Sequence, residues 1–295
     1  VSRARRLQVA LGLNLALVVV QAVFGVVAHS LGLLADAGHN LVDVGAVGLS
    51  LFAVGLAARP ATARRTFGYH RSTVLAAQAN GVAILLVTAL IMYEGVRRLI
   101  HPTVVHPGIV IPVAAAALVV NLLAALVLDD HSHDLNVRSA LLHMVADAVT
   151  SAGVVVAGVV IAVTGGTYWL DPLVSMLIGV VIAVQAWKLL GATTSVLLEG
   201  TPEGVDPESL VQAMVAVDGV ESVHDLHTWS LSSEVRALSA HVVLEGAPSL
   251  VEAQERTDHV RRMLSAEFGF SHTTLEPEAS HCRPDHDADC TMDGR

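Results

Sequence analysis

Six long apolar runs separated by short polar segments occupy the first two thirds of the chain. A membrane-spanning helix needs about 20 largely apolar residues. By that length the pattern predicts spans over residues 7–28, 31–57, 73–99, 109–128, 138–164 and 170–198. The connections are polar: "RPATARRTFGYHR" after the second run, "HPTVVHPG" after the third, "DDHSHDLN" after the fourth and "TGGTYW" after the fifth. Beyond residue 202 the periodicity changes. "PESLVQAMVAV" and "SLVEAQERTDHVRRMLSAEF" space their apolar positions as helices do, whereas "ESVHDLHTWSL", "VRALSAHVVLE" and "HTTLEPE" read as strands. The order αββαβ predicts a small open sheet with two helices on one face. The expected division is a six-span all-α membrane domain over 1–202, an α+β domain over 203–278, and a polar tail over 279–295.

Composition agrees with that division. Hydrophobic residues make up 53% of the chain, charged residues 15%, and the mean hydropathy is +0.61, a membrane-protein balance. Residues 1–202 carry 11 Lys and Arg against 9 Asp and Glu, a net charge of +2; the remainder carries 6 against 18, a net of −12. An acidic domain attracts cations and argues against nucleic acid. The first apolar run exceeds the roughly 7–15 residues of a signal-peptide core and reads as a retained span. With the N-terminus placed in the cytoplasm, nine basic residues fall at inner helix ends and two, Arg97 and Arg98, at outer ends. That satisfies the positive-inside rule and puts the acidic domain in the cytoplasm after six crossings of the cell membrane.

Against this apolar background, "LLADAGHNLVDVGAVG" in the second run carries Asp36, His39 and Asp43. Ionisable groups at that depth cost a few kcal/mol each. The fifth run echoes the pattern in "LLHMVADAVTSAGVVVAG", with His143 and Asp147. Each His precedes its Asp by four residues, so both side chains share one helix face. Two such helices facing each other supply two imidazoles and two carboxylates, a set suited to tetrahedral Zn²⁺. For one isolated histidine, interhelical hydrogen bonding is the competing account; duplication of the pair favours a metal site. Asp36, three residues before His39, reads equally as a partner of that site or as a carboxylate at the span's outer mouth. Glu94 is expected to pair with Arg97 or Arg98, and Asp171, before Pro172, to act as a helix N-cap.

The segments "SLGLLADAGHNLVDVGAVGLSLFA", "TFGYHRSTVLAAQANG", "LLHMVADAVTSAGVVVAGVVI", "DPLVSMLIGVVI", "VHDLHTWSL", "LSAHVVLE" and "HTTLEPE" resemble, in that order, the cation diffusion facilitator family. The resemblance runs from about residue 7 to 278. It implies a homodimeric six-helix exporter of divalent metal driven by inward proton flow, with a ferredoxin-like, metallochaperone-like cytoplasmic domain. The family's transport site carries over onto His39, Asp43, His143 and Asp147, a combination associated with zinc and sometimes cobalt or cadmium. Its cytoplasmic zinc site carries over onto His224, His241 and Glu278, with His272 near a further position. Cys282 and Cys290 resemble tail cysteines of zinc-transporting relatives, although seven residues separate them. His131 and His133 lie in a loop that is often histidine-rich in the family. His70 lies in the other cytoplasmic loop, where some relatives hold an accessory metal. The expected ligand is therefore Zn²⁺, as cargo and as regulator, and the expected partners are protons, the bilayer and a second copy of the chain. The chain carries no nucleophile motif and no phosphate loop, so neither an enzyme nor an ATP-driven pump is expected. A membrane zinc sensor and a passive zinc channel remain the alternatives to antiport.

Overall fold

In the computed structural model, the backbone of residues 3–129 and 135–280 is described, with the side chains of 3–11, 13, 127–129, 135–140 and 143 outside that description. Six helices occur where apolar runs predict them: α1 (Arg3–Val27), α2 (Leu31–Ala57), α3 (Arg71–Ile100), α4 (Pro107–Asp129), α5 (Leu135–Thr164) and α6 (Leu170–Leu197). Helices α2 to α6 each contain a stretch long and apolar enough to cross a membrane; in α1 the described apolar stretch is Asn14–Val27. The chain forms two compact units, residues 1–51 with 77–190, and residues 52–76 with 191 onward.

The first unit buries polar groups among its apolar core and turns apolar side chains outward. Gln21, Asp36, Asn40, Asn121, Asp147, Ser151 and Asp171 are buried, while Leu41, Leu86, Leu90, Val149 and Val163 are exposed. In water such an exterior would drive aggregation; against lipid it is the stable arrangement. Small residues let the helices approach closely. A Cβ on Gly81 would come within 2.9 Å of Leu190, and one on Gly32 within 3.2 Å of Val154.

Asp171 is a cap, though of a neighbouring helix and not of its own. Its carboxylate accepts from Ser30 Oγ at 2.6 Å and from the backbone N–H groups of Leu31 at 2.6 Å and Gly32 at 3.3 Å. These are donors at the start of α2 that the helix cannot satisfy itself. The start of α6 is thereby fixed to the start of α2, the helix that carries His39 and Asp43. Glu94 binds as expected, accepting from Arg98 Nε at 2.9 Å and lying 3.3 Å from Arg97 Nη1.

In the second unit, α7 (Pro207–Val215), β1 (Val220–Ser230), β2 (Arg236–Leu244), α8 (Leu250–Phe268) and β3 (Phe270–Glu278) follow the expected order. The strands lie in the order β1-β2-β3, antiparallel between β1 and β2 and parallel between β2 and β3. A parallel pair needs a crossover, which α8 supplies. Leu238, Ala240, Val242 and Leu244 alternate along β2 onto one face, where they pack with Leu210 and Met214 of α7 and Val260 and Leu264 of α8. His241 therefore points to the opposite face. Asp206 caps α7, and a capping box of Ser249 and Glu252 starts α8, which ends on Gly269 at φ 71.

Candidate metal centres

Within the first unit, His39 and Asp43 lie one turn apart on α2, and the His39 Nε2 to Asp43 Oδ2 distance is 3.4 Å. Asp147, from α5, places its Oδ1 3.4 Å from the same His39 Nε2. Bonds of about 2.0–2.2 Å in a tetrahedral site put neighbouring donors about 3.4 Å apart. Each carboxylate thus stands at that donor spacing from one shared imidazole nitrogen. Asp147 is buried, and His39 and Asp43 are partly so. His143 falls one turn before Asp147 on α5, and its side chain lies outside the described residues.

Toward the start of α2 the site is lined by further polar groups. Asp36 Oδ2 accepts from Gln21 Nε2 of α1 and, at 3.1 Å, from Ser151 Oγ of α5. Asn40 Nδ2 donates to Gln21 Oε1 at 3.3 Å. Of the two sequence readings of Asp36, the structure favours a partner within the helix packing over a solvated mouth residue, since Asp36 is 3% exposed.

The second unit brings together His224, His241 and Glu278, whose ligand atoms all lie within 4.8 Å of one another. His241 Nδ1 is 2.9 Å from Glu278 Oε1, and His224 Nε2 is 3.3 Å from Glu278 Oε2. Neither His224 Nε2 nor Glu278 Oε2 makes a hydrogen bond among the described residues, and both are buried. Such atoms are costly unless a ligand completes them, and two imidazoles with a carboxylate fit Zn²⁺. Sequence pairing explains part of the assembly: His224 and His241 are direct cross-strand partners.

Two acidic neighbours escaped the sequence reading. Asp225 Oδ2 and Glu276 Oε2 lie 3.7 Å and 3.6 Å from His241 Nε2. Glu276 is opposite His241 in the parallel register, which the sequence does not reveal. Asp225 would face away from His224 in a regular strand. A β-bulge between His224 and His227, with Asp225 at φ 49, turns it toward His241.

His272 is placed apart from this trio. It lies six residues before Glu278 on β3, roughly 20 Å along a strand, and its ring meets Phe67 edge-on at 5.1 Å. His227 pairs with Asp225 at 2.9 Å. Cys282, Cys290, His131 and His133 lie outside the described residues.

Family comparisons match both units. Residues 7–198 match the cation efflux transmembrane domain, and residues 202–280 the cation efflux protein cytoplasmic domain. The chain belongs to the cation efflux, or cation diffusion facilitator, family. It is a multi-pass membrane transporter and not an enzyme. Among its relatives is the metal cation efflux system protein CzcD of Cupriavidus metallidurans, 36% identical over 279 residues, covering 94% of this chain and 87% of that one. The cadmium, cobalt and zinc/H(+)-K(+) antiporter of Bacillus subtilis is 33% identical, covering 88% of this chain and 84% of that one. The zinc transporter ZitB of Escherichia coli is 35% identical, covering 99% and 91% respectively.

Proposed function

We propose that this cation efflux protein exports Zn²⁺ from the cytoplasm in exchange for protons, as a homodimer in the cell membrane with both termini cytoplasmic. The observation that carries the reading is the convergence of His39, Asp43 and Asp147, from two apolar helices, on donor spacings of 3.4 Å. His143 is the fourth ligand of the quartet. The relatives are named for zinc, for cadmium, cobalt and zinc, and for antiport, which supports the choice of cargo and of coupling. The basic residues concentrated at inner helix ends support the orientation.

Zn²⁺ arrives from the cytoplasm and binds with both imidazoles neutral, since a ligating nitrogen carries no proton. Two carboxylates cancel the charge of the cation, which makes its passage through an apolar bundle tolerable. Rearrangement of the helices exposes the site to the opposite side. Protons then compete for the imidazoles, whose ordinary pKa of about 6.5 suits exchange near neutral pH, and the metal leaves. In the domain over 203–278, His224, His241 and Glu278 hold a regulatory Zn²⁺ that neutralises acidic surface and favours pairing of two copies.

The test is zinc flux into vesicles containing the purified protein under an imposed pH gradient. Antiport requires flux that rises with the gradient and reverses with its sign. Flux indifferent to the gradient would leave a passive channel. Absence of flux with retained zinc binding would leave a membrane sensor.

A further inference from the structure

We infer that Asp36 is a positioning residue for the transport site, locking α2 against α5 and thereby setting which cations the site accepts. The inference rests on the transport-site reading above and extends it to a residue outside the quartet.

Among the described residues, α2 and α5 approach each other at His39–Asp147 and at Asp36–Ser151. His39 faces Asp147 at 3.4 Å, and Asp36 accepts from Ser151 at 3.1 Å. The pairings run in opposite sequence directions, 36 with 151 and 39 with 147, as antiparallel helices require. Both points lie within about one turn, roughly 5.4 Å of helix. One contact between two rods leaves a pivot; two contacts a turn apart remove both rotation and sliding. The Asp36 tie therefore helps hold Asp147 on α5 beside His39 on α2.

The surroundings make the tie firm. Gln21, Asp36 and Ser151 are all 3% exposed or less, so water does not compete for their hydrogen bonds. Both donors converge on the same oxygen, Oδ2, and hydrogen bonds to a carboxylate are stronger than neutral ones. Gln21 adds α1 to the pair, but it does not contribute to the α2–α5 link. Asp36 lies outside the quartet, and it acts by fixing where the ligands stand. With the lock in place the site stays at the size that suits Zn²⁺. With the lock removed it can expand to a larger ion of similar ligand preference, such as Cd²⁺.

The test compares Zn²⁺ and Cd²⁺ transport by the full-length protein in vesicles, for Asp36→Ala, Asp36→Asn, Ser151→Ala and Gln21→Ala. Loss of an outer partner of a metal ligand typically weakens affinity 10–100-fold. Asp36→Ala is expected to raise the KM for zinc by about tenfold or more while shifting the ratio of kcat/KM toward cadmium. Ser151→Ala should shift the ratio in the same direction. Asp36→Asn, which still offers an acceptor oxygen, should recover most of the zinc preference. Gln21→Ala should shift the ratio less than Ser151→Ala, because it leaves the α2–α5 contact in place, and the double variant Asp36→Ala/Ser151→Ala should be no worse than Asp36→Ala alone.

An unchanged cadmium-to-zinc ratio in Ser151→Ala overturns the inference, even where Asp36→Ala fails to fold. So does an Asp36→Asn as impaired as Asp36→Ala, or a Gln21→Ala that shifts the ratio like Ser151→Ala. Asp147→Asn, run in parallel, separates the two levels of argument. If it transports like the wild type, the quartet itself is wrong; if it is inactive while Ser151→Ala is unaltered, only the lock is wrong.

Discussion

The two candidate metal centres use similar donors in opposite settings. His39, Asp43 and Asp147 stand on helices inside an apolar bundle, whereas His224, His241 and Glu278 stand on strands of an acidic domain at the edge of water. In the bundle, two aspartates flank one imidazole nitrogen at 3.4 Å, and a bound dication offsets the cost of holding them in apolar surroundings. On the proposed reading, protons and metal compete there for the same imidazoles, as exchange transport requires. In the acidic domain the trio is partly exposed, and Asp225 and Glu276 stand beside His241. Solvent moderates those charges, which on the proposed reading lets metal exchange with the surrounding solution. On the proposed reading, the same chemistry serves carriage in one place and sensing in the other because burial differs.

The most severe way to break that contrast is Asp147→Asn. The substitution keeps the shape and removes half of the site's negative charge. Zinc flux should fall to background in vesicles, while zinc binding by the His224 trio persists. Retention of normal flux would remove Asp147 from the site.

Glu278→Gln applies the same logic to the acidic domain. Removing one of three ligands should weaken that site by at least the roughly 10–100-fold typical of losing a ligand's outer partner, read as loss of one binding phase in calorimetric zinc titrations of the full-length protein. Flux at saturating zinc should survive. Loss of all flux would mean that the two centres are not separable in function.

A smaller effect is expected from Asp171→Ala, which strips the start of α2 of its cap. Three hydrogen bonds to a buried carboxylate are lost, at about 2 kcal/mol by the usual worth of charged hydrogen bonds and caps. Thermal unfolding of the detergent-solubilised protein should shift downward, with a raised KM for zinc because α2 bears two of the ligands. An unmoved transition would show that α2 is held elsewhere.

The mildest change is Ser249→Ala at the start of α8, worth about 1 kcal/mol and without effect on flux. The partner carboxyl of Glu252 is held below the ordinary carboxylate range, first by the Ser249 hydroxyl and then by the Ser249 backbone N–H. A depressed carboxylate contributes fully above its unfolded value of about 4.3 and loses that contribution as pH falls through the folded value. The difference in unfolding between wild type and variant should therefore be constant near neutral pH and shrink only in acid. A difference that varies between roughly pH 6 and 8, well above that unfolded value, would contradict the assignment.

Much of this was readable from local pattern. A helix sets its own periodicity through hydrogen bonds four residues apart, so apolar runs located all six helices. The same repeat put His39 beside Asp43, and His143 on the turn before Asp147, before any packing was known. Short runs rich in Val, Thr and Leu likewise located β1, β2 and β3. Contacts between distant segments were not encoded in that way. The sequence offered Asp171 as a cap for its own helix; packing made it the cap of α2. It left Asp36 undecided between two roles, because only the approach of α1 and α5 supplies Gln21 and Ser151. It grouped His272 with the cytoplasmic ligands, whereas the length of β3 holds it apart from Glu278. It passed over Asp225, since a bulge reverses the side on which a strand residue emerges. Local sequence determines which faces a segment owns; what each face meets depends on the simultaneous packing of separate segments, some of them more than a hundred residues apart.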